Sequence, residues 1–66
     1  MFEYITATGK RISINPKYIA AISEDNCNKG QCYIFTINDS CLVNESYEVV
    51  CIHYNNWLNS YAGGTL

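Results

Sequence analysis

Five side chains carry the soft-ligand and nucleophile chemistry of this chain: Cys27, Cys32, Cys41, Cys51 and His53. They are numerous enough for a tetrahedral zinc site, but no two have the C-x₂-C spacing of a zinc knuckle. Cys51 also falls on an apolar helical stripe, where a thiol acts as a small hydrophobe. Free thiols, no metal and no cofactor are therefore expected. In an oxidising compartment four cysteines would suit a disulfide framework, and Cys27 with Cys32, either side of a Gly30-containing loop, is the best-placed pair. Nucleophilic catalysis needs a base beside a Cys or Ser, and His53 is the only histidine. It stands two residues from Cys51, about 200° round a helix, so the two cannot pair within that element. Cys41 with His53 is open geometrically but unsupported by any motif, and His53 reads as a surface helix residue. No enzymatic activity is expected.

The charged and aromatic residues point elsewhere. Glu24-Asp25 sits in a polar loop, and Glu45 with Glu48 is explained by a helix start, where carboxylates meet the positive end of the dipole. Thr8-Gly9-Lys10-Arg11 could offer backbone N–H groups and two charges to a phosphate, but no helix follows it, as a phosphate loop requires. A solvated hairpin turn is the better reading. Six Tyr, two Phe and one Trp in 66 residues are more informative, because a ring with a polar tip is enriched at interfaces. Tyr47, Tyr54 and Phe35 are expected in the core. Trp57 and Tyr61, near the end of the helix, are expected to form a docking surface, and Val49 and Ile52 interrupt its polar face where a second subunit would sit.

These residues need elements to hold them. From Asn44 to Tyr61, Tyr47, Val50, Cys51, Tyr54, Trp57, Leu58 and Tyr61 share one third of a helix circumference at about 100° per residue. Asn44 or Ser46 can cap this helix, and Gly63-Gly64 is expected to end it. Upstream, period-2 alternation predicts strands at Phe2–Ala7 and Lys10–Ile14, joined through Thr8-Gly9 as a hairpin. Asn15-Pro16 then predicts a single helical or 3₁₀ turn with Asn15 as its cap. Further strands are predicted at Ile19–Ser23, Gln31–Ile37 and Cys41–Val43. The strand at 31–37 is apolar on both faces, which implies a central position covered by the helix on one side and by a partner or second copy on the other. The fold class is α+β: an antiparallel sheet of four to five strands packed by one C-terminal helix, as a single domain over 1–62 with a flexible tail at 63–66.

The run of Gly9-Lys10, Ile14-Asn15-Pro16, Ile19 and Ile22, an apolar strand, and then Val43-Asn44-Glu45-Ser46-Tyr47-Glu48-Val49-Val50 resembles the small FlbD-like family of flagellar and swarming-motility proteins. The likeness spans about residues 2–52. It implies the same strand, turn and helix order, and a role in motility without an enzymatic activity. The chain departs from the family in its four cysteines, in a Tyr- and Asn-rich helix, and in the segment from Trp57 to Leu66.

Length and charge bound the rest. A 66-residue chain hides only about 60% of its unfolded surface, so self-association or a partner is expected. A net charge of -2, with Lys10, Arg11, Lys17 and Lys29 as the only basic residues, argues against nucleic acid. No apolar run approaches the roughly 20 residues of a membrane span, and no signal-peptide pattern opens the chain, so a cytoplasmic protein is expected. The expected function is a non-catalytic binding or adaptor protein acting through protein contacts as a homo-oligomer. The alternative is a phage-encoded anti-defence inhibitor or sponge that sequesters a host protein or a nucleotide signal. In that case Lys10, Arg11 and Lys17 would face a phosphate, and Tyr18 or Tyr33 would stack on a base.

Overall fold

The computed structural model describes the backbone of residues 1–64 and the side chains through residue 60. Its elements are β1 (Phe2–Ile5), β2 (Arg11–Ile14), a 3₁₀ turn (Pro16–Tyr18), β3 (Ile19–Glu24), β4 (Cys32–Thr36), β5 (Ser40–Val43) and α1 (Tyr47–Gly64). The α+β class follows. The single sheet does not: β1 and β2 pair as a two-stranded sheet, and β3, β4 and β5 form a separate antiparallel sheet with β4 in the middle.

The reason lies just after β1. At Ile5 the chain stops pairing with β2, and Thr6 bridges to Val43 instead. The Ala7 N–H donates to the Leu42 carbonyl at 2.9 Å, and the Asn44 N–H donates to Ile5 at 2.7 Å. These few bonds join the two sheets but do not extend into a ladder. Gly9, at φ 88°, makes the hairpin turn in the left-handed region that glycine enters without a Cβ penalty. Thr6 stabilises that turn, its hydroxyl accepting from the Lys10 N–H at 3.1 Å.

Asn15 caps the 3₁₀ turn as expected, accepting from the Lys17 N–H at 3.0 Å, with Pro16 in the first helical position. In β3 the register shifts between Ile19 and Ala21. This bulge has a consequence for packing. Ile19 and Ile22 are an odd number of residues apart, and a regular strand would send them to opposite faces. One inserted residue lets both pack on the same core. The following loop is held by its own side chains: Asp25 accepts from the Cys27 N–H and Asn28 from the Gly30 N–H.

Ser46 caps α1, its hydroxyl accepting from the Val49 N–H at 3.3 Å. Asn44, the other candidate, is a latch. It donates to the Thr6 carbonyl and accepts from the Gln31 amide, tying β1 to the loop before β4. The helical backbone continues to Gly64, two residues beyond the end expected at Ala62, and residues 65–66 lie outside the described part.

The core consists of Tyr4, Ile14, Cys32, Ile34, Val43 and Val50, with Phe2, Ile12, Ile19, Ile22, Cys41 and Tyr47 packed against it. Most of the helical stripe meets the sheets, with Val50 buried and Tyr47, Cys51, Tyr54 and Trp57 half-buried, but Leu58, expected on the same stripe, is exposed. Tyr61, the last residue of the stripe, lies outside the described side chains. Among the described residues no helix is long and apolar enough to cross a membrane.

Candidate functional site

Two surfaces stand out once the core is assigned. The first is the outer face of the three-stranded sheet. β4 alternates strictly, with Cys32 and Ile34 fully buried and Tyr33 and Phe35 pointing the other way at 37% and 38% exposure, so Phe35 is not the core residue the sequence suggests, because its strand position sends it to the face that neither α1 nor the first hairpin covers. The two rings stack with centroids 6.2 Å apart at 27°. Across the ladder Tyr33 is opposite Leu42 and Ser23, and Phe35 is opposite Ala21 and Ser40. Residues directly opposite in a ladder project to the same side, so the outer face is a small apolar field without a charged residue at its centre.

The second surface is a groove of about 430 Å³ between the start of β1 and the second half of α1, lined among others by Phe2, Glu3, Tyr4, His53, Asn56 and Trp57. Its base is built from both elements. The Tyr4 hydroxyl and His53 Nδ1 are 2.8 Å apart, and their rings are stacked at 6.0 Å and 15°. Phe2 meets both rings edge to face, and Trp57 lies 5.8 Å from Tyr54. Tyr4 is only 8% exposed. Burial, then the neighbouring Cys32 and Glu45, pushes its pKa up to about 12. The phenol therefore keeps its proton at neutral pH and needs an acceptor for it. His53 Nδ1, 2.8 Å away, is the partner within reach.

No local pattern signals this pair. Tyr4 and His53 are 49 residues apart, and on the helix alone His53 reads as an ordinary polar residue. It is exposed, as expected, but it is also anchored. The available hint was that Tyr4 falls on the inward side of β1 and carries a hydroxyl that burial obliges to find a partner.

The other residues singled out in the sequence are dispersed. Lys10 and Arg11 belong to the first hairpin, and Arg11 lines a groove of about 700 Å³ together with the carboxylates of Glu3 and Glu45. Tyr18 lines a separate groove of about 370 Å³ beside Ile37 and Asn38. Lys17 is exposed on the 3₁₀ turn, and Tyr33 is on the outer sheet face. Trp57 lies in the aromatic groove, Val49 is half-buried, and Ile52 is 56% exposed on α1.

All four cysteines are free thiols. Burial, then the nearby Cys51 and Cys41, pushes the Cys32 pKa up to about 11, and burial also raises that of Cys41. Such thiols are poor nucleophiles at neutral pH. Tyr47 hydrogen-bonds Cys51, which raises the pKa of the phenol. Among the described residues, no three His, Cys, Asp or Glu side chains group to hold a metal ion. Comparison of the chain with known protein families, curated proteins and solved structures returns no match.

Proposed function

We propose that this chain is a non-catalytic protein-binding module that self-associates through the outer face of its three-stranded sheet. The observation that carries the reading is the stacked Tyr33–Phe35 pair on the solvent side of the central strand. Two half-exposed aromatic rings on the middle strand of a sheet are costly to leave in water, and a second sheet packed at about 10 Å would cover them. Small size favours the same outcome, because a core of this extent gains stability when a further apolar face is buried. The resemblance to the FlbD-like family supports a binding role of this kind. On α1, exposed Ile52 with half-buried Val49 would offer a neighbouring subunit a separate contact.

Sedimentation or native mass measurement across a concentration series tests the reading. A dimer or higher oligomer is expected, and Phe35→Lys, which places a charge in the face, should yield a folded monomer. A wild-type chain that stays monomeric at millimolar concentration would refute it.

A further inference from the structure

The first hairpin ends in an open edge, and the main chain of β2 specifies what can cover it. The Thr6 N–H donates to the Lys10 carbonyl beside the hairpin turn. Hydrogen-bonded and non-bonded pairs alternate along an antiparallel ladder, so in this register the bonded pairs are Tyr4 with Ile12 and Phe2 with Ile14. The N–H and C=O groups of Arg11 and Ser13 therefore point away from β1. The same phase shows on the far side of β1, where the carbonyl of Ile5, the partner of Arg11, accepts from the Asn44 N–H. Among the described residues no hydrogen bond reaches the four outward groups of Arg11 and Ser13.

An apolar groove runs beside this edge, between β2 and the β4–β5 hairpin. It consists of two adjoining hollows of about 220 and 370 Å³ that share Ser13, Ile14 and Thr36, and no β1 residue lines either. Ile12 and Cys41 wall the smaller, while Tyr18 and Ile37, 49% and 71% exposed, flank the larger. Asp39 is the only charged residue of the lining. Its carboxylate is engaged within its own turn, accepting from the Ser40 N–H at 2.8 Å. We infer that this groove takes an extended segment of a partner protein, which adds to β2 as a further strand and sets two apolar side chains, at positions i and i+2, into the two hollows. The inference places the proposed binding role at a second site and does not depend on the sheet-face contact. Backbone and groove select the same occupant. Only an extended chain presents donors and acceptors at the two-residue repeat of Arg11 and Ser13, and its side chains on one face recur at that repeat, about 6.6 Å. A helix satisfies its own main chain and has nothing to give the edge. Proline is excluded from the position whose N–H would donate to the Ser13 carbonyl.

Hydrogen exchange tests the edge first. In the isolated chain the Arg11 and Ser13 amides should exchange roughly tenfold faster, or more, than those of Ile12 and Ile14. Slow exchange at Arg11 and Ser13 would mean that a second copy already covers the edge, and would overturn the inference. The probe for the groove is a displayed library of random decapeptides selected against the wild-type chain. Enriched peptides should carry apolar residues two apart, and titration with one of them should slow the Arg11 and Ser13 amides saturably. Methylating the peptide's backbone nitrogens one at a time should weaken binding roughly tenfold at alternate positions only, which contact through side chains alone would not produce. Ile37→Ser should weaken it by a similar factor, and Glu24→Gln, remote in the Lys29 ion pair, not at all. Far-UV circular dichroism of each variant establishes that it is folded. No enrichment, protection elsewhere than at Arg11 and Ser13, or methylation losses without alternation would each overturn the inference. Self-association without peptide binding defeats the groove alone, and peptide binding by a chain that never self-associates defeats the sheet-face reading alone.

Discussion

The two faces of β4 are similar in apolarity and opposite in fate. Cys32 and Ile34 are fully enclosed by β1, β2 and α1, whereas Tyr33 and Phe35, on alternate positions of the same five residues, stand in solvent. Hydrophobicity therefore does not decide which face of a central strand becomes core. The decision lies with the remaining elements: one helix and one hairpin can cover one face of a three-stranded sheet, and among the described residues no further element covers the other. The inner residues are β-branched or small and pack tightly. The outer ones are large rings, which retain favourable edge and stacking contacts when half-wet.

The largest effect that tests this contrast belongs to the inner face. Ile34→Ala should lower unfolding free energy by about 2–5 kcal/mol, the cost of lost transfer plus a cavity, measured by chemical denaturation. A loss below about 1 kcal/mol would mean that the inner face is not the core.

The second test is pH. The Cys32 thiol and the Tyr4 phenol hold pKa values of about 11 and about 12, against ordinary values of 9.0 and 10.0. Each keeps its proton in the folded chain to higher pH than in the unfolded chain. Their contribution to stability is thus whole below about pH 9 and is lost as pH rises through 11 and 12. The denaturation midpoint should fall between pH 8 and pH 11, and Cys32→Ala should flatten the first part of that fall.

On the outer face the expected stability change is small. Phe35→Thr keeps a good strand former and should alter unfolding free energy of the isolated protomer by no more than about 1 kcal/mol, while self-association measured by sedimentation is abolished. A large destabilisation with unchanged association would reverse the assignment of the two faces.

The smallest perturbation is chemical. Cys27, exposed in the β3–β4 loop, should react with a thiol reagent within seconds to minutes, while Cys32 should react only as fast as the protein opens. Mass spectrometry of the labelled chain, resolved by residue, distinguishes them.

A parallel contrast runs along α1. Its first half is covered, with Val50 buried and Tyr47 and Cys51 half-buried. Beyond Tyr54 the helix presents Asn55, Asn56, Asn59 and Ser60 to solvent, with Trp57 inclined to the groove. The first half has the stripe and the cap of a sheet-covering helix. A groove opens between this second half and the start of β1.

Much of this architecture was legible in the residues. Alternation marked the strands, Gly9 the first turn, Asn15-Pro16 the 3₁₀ turn and the 3.6-residue period the helix, because each is a local preference of the backbone or of its nearest side chains. That β4 is the central strand was legible too, but which of its two apolar faces is core was not: Phe35, expected in the core, points outward. What only the tertiary structure decided is non-local. The division into two sheets rests on Thr6 turning to Val43. The common direction of Ile19 and Ile22 depends on a bulge, and the choice between Asn44 and Ser46 was made by what lay within reach of Asn44. The Tyr4–His53 pair, distant in sequence, exists because β1 and α1 pack together. Local preference selects elements, but a hydrogen bond between residues this far apart forms only where burial has brought a donor beside its acceptor.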